Sequence, residues 1–272
     1  MQSEQTSPTR TVAIYVFSGI VLAALFGYMI FGPTDVELDP KTLCPRGEEN
    51  LSARTTVVLL DRTDPITEVQ QQHILGLLSA VFGKPLPYER VVLYPLDARK
   101  DIVLEGLVLC NPRGPKKGGR IEEVSTEKEF DEKLFRDKFL NPLTDSVRKM
   151  LPSAKTTQTD SPIMEMIQAV AVRDLKPARA ARLILVSDMM QYSARHSHYK
   201  ATPDFKEFYR SDVFKEVSVD LTNTEVLILY ITRTRGPSRQ PPNHEEFWQQ
   251  YFSALNARRP IVIERIRGEA WQ

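Results

Sequence analysis

Three turns along the chain carry side chains whose oxygen atoms could bind a cation. They read Asp61-Arg62-Thr63-Asp64-Pro65, Asp160-Ser161-Pro162 and Ser187-Asp188. Carboxylate and hydroxyl oxygens are the side-chain ligands that hard divalent cations such as Mg²⁺ prefer. The residue types therefore predict a metal site if the three turns meet in space.

The apolar runs before the first and third turns indicate where those turns lie. Residues 56–60 (TVVLL) and 183–186 (LILV) have the composition of buried parallel strands. In an open α/β sheet, the loops at the carboxyl ends of the strands share one crevice, and ligands bind there. We therefore expect Asp61 and Asp188 at the same edge of a sheet, where a carboxylate at the rim of a core needs a partner.

Helix capping is the alternative interpretation of the same residues. Asp64 and Ser161 each precede a proline, which suits an N-cap followed by proline at the first helical position. Asp188 could cap the turn after its strand. Both interpretations stay open at this point.

The remaining sequence alternates strands with helices, which predicts an α/β fold with a mainly parallel central sheet sandwiched between helices. The predicted strands are 55–60, 90–94, 101–110, 183–186, 225–232 and 261–263. The predicted helices are 65–82, 127–151 with a break near Asn141-Pro142, 162–174, 203–215 and 245–255. The first helix shows an amphipathic stripe at three- and four-residue spacing, formed by Ile66, Val69, His73, Leu77 and Val81.

In the three polar turns and the order of its predicted elements, the chain resembles a von Willebrand factor A domain. The first motif of that family is an apolar strand followed by Asp-x-Ser-x-Ser; Asp61 and Thr63 match it, and Pro65 stands where the second hydroxyl belongs. Ser161 takes the place of a helix-opening threonine, and Asp188 matches an aspartate at the end of the fourth strand. The resemblance implies a divalent metal at the carboxyl edge of the sheet and recognition of a protein partner without catalysis.

The resemblance also implies a set of metal ligands. In that set, Thr63 and Ser161 bind Mg²⁺ directly, and Asp61 and Asp188 bind it directly or through water. Asp64 or a water would replace the oxygen that Pro65 lacks, since Mg²⁺ usually keeps several waters. A metal-free crevice is the alternative.

Met189, Met190 and Tyr192 follow the third turn and are predicted to form a partner-binding rim. Core packing of one of the methionines is the alternative. His196 and His198 are assigned to a solvated loop, because no third zinc ligand is evident near them.

The N-terminus predicts a membrane anchor, because residues 11–32 contain no charge. A helix of this length spans about 33 Å, against a bilayer core of about 30 Å. A cleaved signal peptide is the alternative. The predicted organisation is a tail (1–10), an anchor (11–32), a linker (33–53) and a domain (54–272). Arg10 favours a cytoplasmic N-terminus, which makes this a single-pass inner or plasma membrane protein with an exported, periplasmic domain.

Cys44 and Cys110 are the two cysteines of the chain. In an exported domain they predict a disulfide. The alternative is a free Cys44 thiol and a buried, unpaired Cys110.

The composition and the motifs of the sequence limit the classes of function that it supports. The formal net charge of +1 gives no case for nucleic acid. Neither a Gly-x-Ser-x-Gly elbow nor a Walker loop occurs in the sequence. The chain is thus predicted to be a protein-binding module and not an enzyme. A metal-free structural subunit of an envelope assembly is the first alternative, and a metal-dependent hydrolase is the last.

Overall fold

The computed structural model describes residues 15, 17–22, 36–47, 52–96, 106–114, 131–151, 160–199, 203–235 and 239–268. The chain divides into two compact units, Met1–Glu37 and Leu38–Gln272.

In the first unit, Tyr15 and residues 17–22 are helical and exposed. The rest of the predicted anchor, 11–32, lies outside the described residues. Within the part of the chain that is described, none of the helices has the length and apolar character needed to cross a bilayer.

The second unit is built on one six-stranded sheet. Its strands are β1 (Thr55–Asp61), β2 (Arg90–Leu96), β3 (Leu107–Cys110), β4 (Ala181–Ser187), β5 (Thr224–Ile231) and β6 (Arg258–Ile266). They lie in the order β3-β2-β1-β4-β5-β6, and β3 is antiparallel to β2 while the other neighbours are parallel. The predicted α/β fold with a mainly parallel sheet is confirmed.

Helices cover both faces of the sheet. They are α1 (Glu68–Phe82), α2 (Asn141–Met150), α3 (Ile163–Val170), α4 (Phe205–Arg210), α5 (Asp212–Val217) and α6 (His244–Ala254). On one face, α1 and α2 pack against alternate side chains of the strands, such as Val58 and Leu60. On the other face, α3 to α6 pack against Val57 and Leu59. The alternation follows from the period of two in a strand, which turns successive side chains to opposite faces.

Helix α1 begins at Glu68, although the sequence predicts a start at Pro65. The cap is Thr67, whose Oγ1 accepts from the N–H of Gln70 at 3.2 Å. The Gln70 Oε1 accepts in return from the N–H of Thr67 at 3.0 Å. This reciprocal pair satisfies two N–H groups that the first turn leaves without helical partners. Asp64 therefore lies in a turn before the helix, and its predicted capping role is wrong.

The buried stripe of α1 is displaced by one residue from the predicted one. Ile74, Leu78 and Phe82 are buried, whereas Val69 is 62% exposed and His73 is exposed. Two apolar stripes run side by side along this helix. The one with the larger side chains faces the core.

A wide π-helical turn, Arg136–Leu140, precedes α2, where the sequence predicts a break. The N–H of Asn141 donates to the carbonyl of Arg136, one residue further back than in an α-helix. Pro142 lacks an N–H and crowds the preceding turn of a regular helix, and such a bulge accommodates it without ending the helix. A second π-helical turn, Ala171–Leu175, extends α3.

The predicted disulfide between Cys44 and Cys110 is confirmed. It joins the segment 38–47, which the sequence assigns to a linker, to the edge strand β3. The N–H of Cys110 also donates to the carbonyl of Thr42 at 2.7 Å. Residues 38–47 therefore belong to the folded second unit.

Candidate metal and partner site at the carboxyl edge

The strand register places the predicted site residues in one row. Leu60 pairs with Val186, so Asp61 at the end of β1 lies beside Ser187 at the end of β4. Asp188 follows directly. Ser161 lies just before α3, and its backbone pairs with that of Tyr192 in the loop after β4. The sheet thus brings together Asp61, Thr63, Ser161 and Asp188, all of which are buried.

Hydroxyl groups surround the carboxylate of Asp61. Its Oδ1 accepts from the backbone N–H of Thr63 at 3.0 Å and from the Thr63 hydroxyl at 2.7 Å. Its Oδ2 accepts from the hydroxyl of Ser187 at 2.6 Å and from that of Ser161 at 3.4 Å. Ser187 is a site residue that the prediction left out. Its place at the carboxyl end of a buried strand was the available signal.

Asp188 has a different set of partners. Its Oδ1 accepts from the N–H of Met190 at 2.9 Å, and its Oδ2 accepts from Nε of Arg233 at 3.4 Å. The main-chain oxygen of Asp188 accepts from Nε2 of Gln240 at 3.0 Å. Arg233 and Gln240 come from the loop after β5, and the sequence offered no pattern that links this loop to Asp188.

Burial shifts both carboxyl groups towards the protonated form. It raises the pKa of Asp61, and the hydrogen bonds from Ser187 and Thr63 oppose that rise. Burial raises the pKa of Asp188 well above its usual range, and the negative charges of Asp61 and Asp64 raise it further against the effect of Arg233. Keeping both carboxylates ionised is therefore costly at this edge, because Arg233 offsets only part of the rise at Asp188.

Asp64 acts here through its charge. It is half-buried, and it raises the pKa of both Asp61 and Asp188. The described residues do not bring Asp64 together with Asp61 and Asp188 as a group placed to hold a metal, so its role as a replacement for the oxygen that Pro65 lacks stays a prediction.

Ser161 does not cap α3 with its side chain, because its hydroxyl is directed to Asp61. Instead, Oε1 of Gln191 accepts from the N–H of Met164 in the first turn at 3.0 Å. Gln191 is fully buried. The side-chain cap of this helix is therefore supplied by the loop after β4, which fixes that loop beside the site.

The predicted rim is not formed by methionine side chains. Met189 and Met190 are 0% and 1% exposed, so both lie in the interior. Met189 adopts a positive φ of 64°, and its carbonyl accepts from Nε1 of Trp248 in α6 at 3.0 Å. This backbone geometry turns the side chain inward, and only Tyr192 of the three is half-buried.

A buried histidine pair lies behind the site. Nδ1 of His198 is 2.9 Å from Nε2 of His244, and Nδ1 of His244 is 2.7 Å from the hydroxyl of Tyr230. Burial lowers the pKa of His198 to about 2 and that of His244 to about 4, so both rings are neutral at pH 7. The predicted solvated loop is therefore wrong for His198, which is 2% exposed and packs edge-on to Phe247.

The donor chemistry fits Mg²⁺. Two carboxylates and three hydroxyl groups converge there, all of them oxygen donors. The described residues contain no group of three or more histidine, cysteine, aspartate or glutamate side chains placed to hold a metal. A cation at this edge would therefore rely on the hydroxyl groups and on water as well as on the carboxylates.

No family model matches the sequence, and no curated protein is similar enough to indicate a relative. Among solved structures, the chain is similar to the human COPII-coat protein Sec24c, with 12% sequence identity and a TM-score of 0.38. The match covers 81% of this chain and 30% of that chain. The chain thus corresponds to less than a third of that protein, and similarity at this level says nothing about function.

Proposed function

We propose that this domain binds a protein partner at the carboxyl edge of its sheet and that Mg²⁺ takes part in this binding. Asp61 and Asp188 supply the negative charge, and Thr63 and Ser161 supply hydroxyl oxygens. When bound, the ion would offer a positive site to a carboxylate of the partner. The resemblance to von Willebrand factor A domains supports this assignment, and Pro65 is the main departure from that pattern.

One observation carries the proposal: two buried aspartates lie at one edge, and among the described residues Arg233 alone forms an ion pair with either of them. That contact, with Asp188, is long, at 3.4 Å, and the hydrogen bonds described for Asp61 come from hydroxyl and backbone N–H groups. Two buried carboxylates cannot both stay ionised at low cost without a compensating cation. A divalent ion would supply the missing positive charge.

The hydroxyl groups favour binding over catalysis. Those of Thr63, Ser161 and Ser187 donate to Asp61, so none of the three is activated by a histidine. The buried histidines interact with one another and with Tyr230 instead. The usual base of a serine or threonine nucleophile, a histidine, is therefore not among the described hydrogen-bond partners of these hydroxyl groups.

A metal-free structural subunit of an envelope assembly is the second candidate. The ion pair between Arg233 and Asp188 favours it, because a guanidinium already occupies one side of the crevice. In that case, docking to other subunits would not depend on divalent ions.

Calorimetric titration of the purified full chain with Mg²⁺ and Mn²⁺ separates the two candidates. We expect saturable binding that weakens at least about tenfold in Asp61→Ala and in Asp188→Ala. Asp212→Ala, at a side chain that is 88% exposed, is the control and should bind as the parent does. Partner capture by crosslinking should require Mg²⁺ and fail in EDTA. Unchanged metal binding and capture in both folded variants would exclude the proposed site.

We also propose that the domain is exported and anchored by residues 11–32. The uncharged N-terminal stretch supports this, as does the disulfide, because such bonds persist in oxidising compartments. A phosphatase reporter that is active only outside the cytoplasm, fused to the C-terminus, tests the orientation. An inactive but expressed fusion would place the domain in the cytoplasm.

A further inference from the structure

A second concave region lies next to the candidate metal site. It is a pocket of about 810 Å³ between the carboxyl ends of β5 and β6, the loop after β5 and the start of α6. Its size is within the range of about 300–1,000 Å³ that is typical of ligand pockets. Arg233, which contacts Asp188, lines it, so the two regions share one wall.

The pocket is strongly cationic in a chain that is nearly neutral. Five arginines line it against a single carboxylate, that of Glu245, whereas the whole chain has a formal net charge of only +1. The arginines are Arg233, Arg235, Arg239, Arg265 and Arg267. Such a concentration on one concave surface raises the local density of anions.

Only part of this positive charge is compensated by the carboxylates of the pocket and the site. Arg265 makes a two-pronged contact with Glu245, at 2.7 and 3.0 Å, and Arg233 contacts Asp188. Within the described part of the chain, Arg239 and Arg267 form no hydrogen bond or ion pair, and both are exposed. Their guanidinium groups are therefore available to a ligand.

The N-terminus of α6 adds to the positive electrostatic potential in the pocket. Asn243 precedes the helix with a positive φ of 60° and makes no side-chain capping bond. Asn243, His244 and Glu245 line the pocket, so the positive end of the helix macrodipole faces it. The arginines and the helix terminus favour the same sign of ligand charge.

From this pocket we infer that the partner presents an acidic peptide segment, whose carboxylates are bound by Arg239 and Arg267. The planar guanidinium group of an arginine can donate two parallel hydrogen bonds to one carboxylate. The cations come from two separate strand ends and one loop, which suits an extended chain with several charges better than a single small anion. The Thr232 hydroxyl, also on the wall, donates to the carbonyl of Ile266 at 3.0 Å and can still accept from a peptide N–H.

This inference specifies the class of partner for the proposed function. It depends on the proposed function only in taking the partner to be a protein. The arginine pocket and the carboxylate cluster can be changed separately. A variant of one leaves the other as an internal control.

The test is a binding measurement on the full chain with a short fluorescein-labelled oligo-glutamate peptide, read by anisotropy. An oligo-glutamine peptide of the same length controls for charge. Arg239→Gln and Arg267→Gln should each weaken oligo-glutamate binding about tenfold, as expected for loss of a hydrogen bond between charged groups. Arg179→Gln is the matched control, because Arg179 is also exposed but lies before β4, at the opposite edge of the sheet. Thermal unfolding of each variant confirms that it is folded.

Selective binding of oligo-glutamate that both pocket variants weaken and Arg179→Gln does not would support the inference. Equal binding of the two peptides, or an equal loss in Arg179→Gln, would overturn it. Tighter binding of inorganic tripolyphosphate or of a short oligonucleotide would also overturn it, since the pocket would then serve another class of anion. If oligo-glutamate fails to bind while the titration shows Mg²⁺ binding, only this inference fails. If oligo-glutamate binds while the titration shows no Mg²⁺ binding, only the proposed metal site is excluded.

Discussion

Buried carboxylates occur at both edges of the sheet, and their surroundings differ. At the amino edge, Glu89 accepts from Nε and a terminal nitrogen of Arg54 at 3.1 and 2.9 Å, from the Thr56 hydroxyl at 2.5 Å and from the N–H of Leu86 at 2.7 Å. Asp174 accepts there from Arg90 and from the Tyr94 hydroxyl, both at 2.8 Å.

At the carboxyl edge, the negative charge of Asp61 raises the pKa of Asp188, and the ion pair described there is the 3.4 Å contact of Arg233 with Asp188. A carboxylate that is fully bonded to its own arginine holds the fold together. Asp188 has only the longer ion pair with Arg233, and no ion pair is described for Asp61. This difference supports a structural role for the amino edge and is the basis of the binding proposed at the carboxyl edge.

The largest expected effect is at the amino edge. Glu89→Ala removes the close partner of the Arg54 guanidinium, which keeps the longer 3.6 Å contact with Glu225. It also leaves the Thr56 hydroxyl without its acceptor. We expect a loss of about 3 kcal/mol in the free energy of unfolding. Urea denaturation measures it. Glu264→Ala, at an exposed residue of β6, should change the value by less than about 0.5 kcal/mol. A small effect at Glu89 would contradict the structural role of this edge.

Acid should destabilise the domain through the histidines behind the carboxyl edge. Their pKa values are lowered to about 2 (His198) and about 4 (His244), so below pH 6.5 the unfolded chain takes up protons that the folded chain does not. Stability should then fall as the pH drops from 6.5 towards 4, by about 1.4 kcal/mol per pH unit for each histidine.

His198→Asn should remove roughly half of what the two histidines contribute to that pH dependence; the raised pKa values of Asp61 and Asp188 contribute with the opposite sign in both proteins. His73→Asn, at an exposed histidine of α1, should leave it unchanged. Unfolding curves at several pH values measure both, and equal slopes in His198→Asn and the parent would rule the pair out as the origin.

Asp188→Asn should not lower the free energy of unfolding, in contrast to Glu89→Ala. It removes a charge that Asp61 and Asp64 repel, so without divalent ions at pH 7 we expect stability to stay equal or rise by about 1 kcal/mol. The same urea denaturation measures it. A loss as large as that of Glu89→Ala would show that the two edges do not differ.

The smallest expected effect concerns the arginine that joins the two regions of the carboxyl edge. Arg233 contacts Oδ2 of Asp188 at 3.4 Å and would compete for it with the proposed metal. Arg233→Gln should therefore tighten Mg²⁺ binding by roughly threefold, as removal of a weak ion pair would predict. Calorimetry measures it, with Arg179→Gln as the control. Weaker Mg²⁺ binding would mean that Arg233 supports the ion instead of competing with it.

The parts of the fold that the sequence predicted depend on local signals. Apolar runs that end in Asp61 and Asp188 fixed the ends of β1 and β4, and with them the edge at which the polar turns meet. The start of α1 was missed because Thr67 and Gln70 form a better cap than Asp64 does, which depends on geometry that residue types leave open. The contact between Arg233 and Asp188 was missed because it joins residues 45 positions apart through a loop with no periodic pattern.

The burial of His198 and the methionines was missed for a related reason. Their segment has a polar composition, and only the packing of α6 over it makes it part of the core. Aromatic residues recur at spacings of three and four in α6 (Phe247, Trp248, Tyr251 and Phe252), which is typical of a buried helix, but this spacing does not indicate which loop the helix covers.

The Cys44–Cys110 bond has a mechanical consequence. The 66-residue separation encloses β1, α1 and β2 within a covalent loop. Tension applied between the N-terminus and the C-terminus passes from Cys44 directly into Cys110, so the chain between them cannot be drawn out while the bond is intact. If residues 11–32 fix the chain to a membrane and a partner pulls on the domain, the segment that carries Asp61 is not stretched along its length.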